Sequence, residues 1–112
     1  MKILRVQDAP LVDNPHGVKA QKLYDTEHAQ AVHLTLEPGQ ALKRHVTPVD
    51  VFFYVLEGRG TVEIGEERQE VGPDTLIDSP ARIPHRWINT GQGTLRVLVV
   101  KVPRPTQATR VL

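Results

Sequence analysis

The side chains best suited to chemistry in this chain are five histidines, at positions 16, 28, 33, 45 and 85. An imidazole can ligate a transition metal, move a proton or anchor a polar ligand group. His45 lies in GQALKRHVTPVDVFFYVLEG (39–58) and His85 in SPARIPHRWINTG (79–91). In the first stretch, His45 stands where a neighbouring His or Glu would be expected to complete a coordination site. His16 and His28 sit in loop-like sequence, from which an inward reach would take an unusual path. His33 has the strand parity opposite Val32, Leu34 and Leu36, so it is expected to face solvent or a partner subunit.

Other chemistries are missing. There is no cysteine, which excludes disulfides, thiolate metal sites and a cysteine nucleophile. No Gly-rich phosphate loop, HExxH helix or Gly-x-Ser-x-Gly elbow occurs. Glu63, Glu66, Glu67 and Glu70 crowd a hairpin that reads as exposed, so no acid–base carboxylate pair stands out.

The elements that must position the histidines read as strands. Val and Ile recur in short runs broken by Gly and Pro, the pattern of an all-β sandwich or barrel. Strands are predicted at 18–24, 30–36, 42–46, 50–56, 60–65, 68–71, 75–78, 86–89 and 94–102. The best helical candidate is 24–30, and that could equally be a loop. Along 45–55, His45, Thr47, Val49, Val51, Phe53 and Val55 share one face. Both that strand and 94–102 are apolar on both faces, which points to a subunit interface and a homodimer. Trp87 shares the face of His85, where core packing outweighs ligand stacking. Arg44 and Arg86 fall on the opposite face and read as surface or interface charges. The last residues, PRPTQATRVL, read as an extended arm, either loose or covering a neighbour's edge strand.

Size and charge set the remaining bounds. The 112 residues suit one domain. Fourteen Lys and Arg against 13 Asp and Glu leave no basic stripe for nucleic acid. The apolar runs are too short to cross a bilayer, and a cytoplasmic protein is the default expectation.

The chain resembles the cupin family of small double-stranded β-helix (jelly-roll) barrels. Gly39, His45 and Gly58 fall on the spacing of the family's first motif, and Pro80, His85 and Asn89 on that of its second. The resemblance implies a single cupin domain over 1–112, with a core barrel at about 30–102. Residues 1–29 and 103–112 would be flanking strands or arms. It also implies a divalent metal (Fe, Mn, Ni or Zn) held by two His and a Glu of the first motif and the His of the second. Here only His45 and His85 remain of that set. Thr47 stands at the second His and Val51 at the Glu, while Asp74 and Arg82 replace two glycines of the second motif. A first-row metal usually needs three protein donors. Asp50, the nearest carboxylate, would need a bulge to turn inward.

Two readings follow. In the first, the barrel binds a small polar or aromatic molecule through His45, Thr47, Val51, Phe53, His85 and Trp87, with Val49 adding apolar wall. The second is a metal-dependent enzyme of dioxygenase or isomerase type, using His45, His85 and a non-standard third ligand. A ligand-free structural or regulatory dimer is the third and weaker reading.

Overall fold

Alternating side chains fold this chain, because each strand has one face that must leave water. A computed structural model describes residues Met1–Leu112. A 3₁₀ turn at Val6–Asp8 precedes β1 (Lys19–Asp25), β2 (Gln30–Leu36), β3 (His45–Val46), β4 (Asp50–Glu57) and β5 (Gly60–Ile64). The chain continues through β6 (Glu67–Val71), β7 (Leu76–Ser79), β8 (His85–Ile88), β9 (Leu95–Val102) and β10 (Arg110–Val111). Two five-stranded antiparallel sheets result, ordered β1-β2-β9-β4-β7 and β10-β3-β8-β5-β6. This is the expected all-β jelly-roll barrel.

The register of β9 sets the barrel's polarity. Its inward residues Leu95, Val97, Val99 and Lys101 pair with Leu36, Leu34, Val32 and Gln30 of β2. On its other side Val97, Val99 and Lys101 pair with Val55, Phe53 and Val51 of β4. Leu36, Val55, Leu95, Val97 and Trp87 are fully enclosed and plug one end. Each such side chain contributes about 1.5–3 kcal/mol of burial free energy. Towards Gln30, Val51 and Lys101 the same rows open into a mouth.

All nine predicted strands are present, with differences of detail. Ladder pairing in 42–46 is confined to His45–Val46: the Lys43 backbone bonds two imidazoles, while Leu42 N–H still donates to Trp87 O of β8. The 24–30 stretch is strand ends joined by a turn at 26–29 rather than a helix: Thr26 N–H donates to Ala29 O, and His28 N–H to the Thr26 hydroxyl. The C-terminal arm packs against its own chain rather than hanging loose. It folds back as β10 against β3, satisfying an edge strand of its own chain, with Leu112 N–H donating to Arg44 O. Arg104 ties the start of that arm to Asp25.

Two expected exposures also change. His33 does lie on the outer face, in a cross-strand row with Leu76, Tyr54, Leu98 and Gln21. It is only 2% exposed, however, and its Nε2 accepts from the Arg96 guanidinium. Glu63 is likewise buried rather than exposed, held by Arg86 and Arg68 on the outside of the second sheet. The hydrogen bond from Arg86, then the charges of Arg86 and Arg68, keep its carboxyl below the usual range.

Turn geometry explains the departures in the second motif. Asp74 and Arg82, which stand where the family has glycine, keep left-handed backbones with φ of 60° and 66°. Arg82 N–H donates to Thr47 O, which holds the turn in place. Asn89 closes the far end, donating to Leu36 O and Gly93 O and accepting from Gly91 N–H. A non-glycine residue in the left-handed region costs about 1–2 kcal/mol, partly offset by the entropy glycine loses on folding. Arg82→Gly is therefore expected to stabilise the protein by about 0.5–1 kcal/mol, read as a higher urea midpoint with an unchanged slope.

Candidate functional site

The mouth of the barrel is a cavity of about 250 Å³. Its apolar wall comes from Val32 and Leu34 of β2, Val51 and Phe53 of β4, and Val99 of β9. The polar lining converges from four directions: His45 and Thr47 from the first motif, His85 from β8, Lys101 from β9, and His16 from the N-terminal loop.

His45 and His85 are directly opposed across β3 and β8, with ring centroids 4.5 Å apart. Phe53 lies against His85 at 5.3 Å and Trp87 at 5.6 Å, so it forms the floor between mouth and core. Five of the six expected ligand-contacting residues, His45, Thr47, Val51, Phe53 and His85, line the cavity. Trp87 does not. Its β8 position pairs with Val62, two residues deeper than His85, and it is fully enclosed beneath Phe53. Val49 is also absent from the wall.

His16 overturns its expected placement. The loop before β1 carries it inward, 4.7 Å from the ring of His45. Asn14 shapes that loop, accepting from His16 N–H and donating to Val18 O. No sequence periodicity marks such a loop. Lys101 is the other residue that reading of the sequence missed, although a signal existed. It continues the inward row of Leu95, Val97 and Val99 by one more step.

The hydrogen bonds fix most proton positions. Lys43 N–H donates to His16 Nδ1 at 2.8 Å, so the neutral ring of His16 carries its proton on Nε2. Lys43 O accepts from His45 Nδ1 at 2.7 Å, which leaves His45 Nε2 as a lone pair without a protein partner. His85 is held at both nitrogens, by the Ser79 hydroxyl at 2.6 Å and the Thr47 hydroxyl at 3.2 Å. Desolvation, then mutual repulsion, lowers His16 to about 4 and His85 to about 3. Burial also lowers His45, partly opposed by its bond to the Lys43 carbonyl. The imidazoles are neutral at about pH 7. Lys101 makes no ion pair; its one bond is to the Thr109 hydroxyl at 3.5 Å. The exposed Asp13 is the one carboxylate bordering the cavity, and it forms no salt bridge with that amine. Burial lowers the pKa of Lys101, and its charge in turn depresses all three imidazoles.

These donors do not fit a divalent transition metal. Only His45 offers a free lone pair: His85 is occupied at both nitrogens, and His16 points a proton where a ligand would be needed. No three His, Asp or Glu side chains lie close enough together to share an ion. Asp50 does not turn inward; its carboxylate accepts from Ala81 N–H outside the barrel. A lysine within the same cavity adds repulsion.

Comparison with known proteins agrees with the fold. The family model described as "Cupin domain" matches residues 32–101. An uncharacterized protein of Methanocaldococcus jannaschii is 34% identical over 62 residues, 55% of this chain and 49% of that one, so the match spans about half of that relative. A crystal structure of a Thermus thermophilus protein is 32% identical, with a TM-score of 0.80, covering 94% of this chain and 100% of the other. The polyketide cyclase RemF of Streptomyces resistomycificus superposes with a TM-score of 0.85 at 24% identity, covering 100% and 85% of the two chains. A predicted oxalate decarboxylase of Thermotoga maritima gives 0.81 at 19%, covering 91% and 99%. At those last two identities the likeness is one of fold. Nine of the 19 lining residues, His16 and Thr109 among them, lie outside the segment that the family model matches.

Two outcomes follow for solution measurements. In calorimetric titration the wild type is expected to show no Kd for Zn(II), Mn(II), Ni(II) or Fe(II) below about 1 µM, since fewer than three donors are free. Combining Thr47→His, Val51→Glu and Lys101→Met should create tight binding, at least about tenfold stronger than in the variant that keeps Lys101; tight wild-type binding would refute the donor assignment. The second outcome concerns pH. An unfolded His takes its proton near 6.5, whereas folded His16 and His85 refuse it until about 4 and 3. The unfolded state therefore binds more protons below about pH 6.5, so stability drops as pH falls through that range and stays level above about 7. Thermal midpoints between about pH 4.5 and 8 should show this, with a shallower acid limb in His85→Gln.

Proposed function

The chain belongs to the cupin family, and from that premise we propose that its barrel mouth binds a small molecule with an apolar or aromatic body and one anionic oxygen group. The observation that carries this reading is the ammonium of Lys101, turned into a largely apolar cavity with no carboxylate paired to it. A buried cation without a counter-charge is costly. A ligand carboxylate, phenolate or enolate supplies the missing charge.

The surrounding groups suit the same ligand. His16 Nε2–H is a neutral donor and His45 Nε2 a neutral acceptor, which together satisfy an anionic oxygen and a neighbouring hydroxyl. Val32, Leu34, Val51, Phe53 and Val99 accept the apolar body. A metal-dependent activity has less support, because the donor set leaves one free imidazole nitrogen.

Calorimetry with benzoate as the probe tests the reading. Lys101→Met should weaken benzoate binding at least about tenfold, the factor that corresponds to about 1.4 kcal/mol. The same variant should melt at a higher temperature, because a half-buried, unpaired charge has been removed. Equal affinity in wild type and variant, or no benzoate binding by the wild type, would reject the proposal.

A further inference from the structure

We propose that Lys101 is also a nucleophile, capturing an aldehyde or ketone carbonyl in the cavity as a reversible imine. This rests on the binding reading above, since the same cavity must hold the carbonyl compound.

The position of the amine carries the argument. Lys101 is the only one of the five lysines whose side chain continues an inward β-strand row, and it opposes Val51 and Gln30 rather than an acid. Lys2, Lys19 and Lys43 are on the surface, and Lys22, although it also borders the cavity, is ion-paired to Asp25 at 3.2 Å. An ammonium without a paired counter-charge in an apolar enclosure is the setting in which a lysine gives up its proton and becomes nucleophilic. Burial lowers the pKa of Lys101 in the same direction.

Imine formation also needs a group that moves protons, and the cavity provides one. In the first step the Lys101 amine attacks the carbonyl carbon, forming the C–N bond while the C=O π electrons pass to oxygen. His45 Nε2, the unpartnered lone pair, relays one nitrogen proton to the alkoxide, giving the carbinolamine, and then the second nitrogen proton to its hydroxyl. Water then leaves as C=N forms, and the balance is amine plus carbonyl giving imine plus one water. No oxidant or reductant is required. The apolar wall of Val51, Phe53 and Val99 holds the body of the carbonyl compound beside the amine and limits competing water.

The experiment uses benzaldehyde at about neutral pH with cyanoborohydride to fix any imine, followed by peptide mapping by mass spectrometry. Benzylation of Lys101 is expected at least about tenfold faster than at Lys2, Lys19, Lys22 or Lys43. Lys101→Arg should remove that label, because a guanidinium does not condense with the aldehyde. Excess benzoate should slow the labelling of wild-type Lys101. If wild type binds benzoate but Lys101 labels no faster than the surface lysines, the nucleophile is refuted and the binding site stands. If benzoate does not bind either, both fall together.

Discussion

The register in which β9 lies between β2 and β4 is the constraint on which the rest of this structure depends. It aligns Leu95, Val97, Val99 and Lys101 along one interior line, with Leu36 to Gln30 on one side and Val55 to Val51 on the other. A slip by one residue would turn Arg96, Leu98 and Val100 inward and expose Leu95 and Val97. Burial of the apolar part of the row locks the register. The amine at its end is then carried to the mouth, where its own solvation would not have placed it. Stability at the closed end thus secures an energetically unfavourable arrangement at the open end.

Much of the fold was legible because alternation and turn chemistry are local properties. Parity grouped Val51, Phe53 and Val55 on the face of His45, and the family resemblance of the two motifs implied that His45 and His85 meet at one barrel end. What escaped was non-local. His16 reaches the cavity through a loop shaped by Asn14, and β10 exists because β3 has an unpaired edge. Glu63 is buried only because Arg86 and Arg68 converge on it from neighbouring strands. Asp74 and Arg82 break the glycine pattern while retaining its backbone conformation, so residue type alone hid a preserved turn.

Lys43 shows how a single backbone unit can organise a site. Its N–H goes to His16 and its C=O to His45, in the gap between the Leu42 bond to β8 and the start of β3. It thereby fixes opposite tautomers on two adjacent rings, one presenting a proton and the other a lone pair. A side chain at this position could be replaced without loss of that polarity, because the peptide group makes both bonds. The exposed Lys43 side chain is therefore a poor guide to the importance of its residue.

The charge of the site follows from one cross-strand pair. Val51 occupies the position at which the family resemblance implies a metal-binding glutamate, and its partner on β9 is Lys101. A glutamate at 51 would neutralise Lys101, and a divalent cation beside Lys101 would be repelled by it. With valine there, the carboxylate is gone and the amine is left unpaired, so the electrostatic demand of the cavity is for an anion. Thr47 reinforces the change, since its hydroxyl engages the ring nitrogen of His85 that would otherwise be free. The two replacements act together: one removes the charge that attracts a metal, and the other removes a donor and occupies a second. The same barrel end that could have been built around a cation is instead arranged around a missing negative charge.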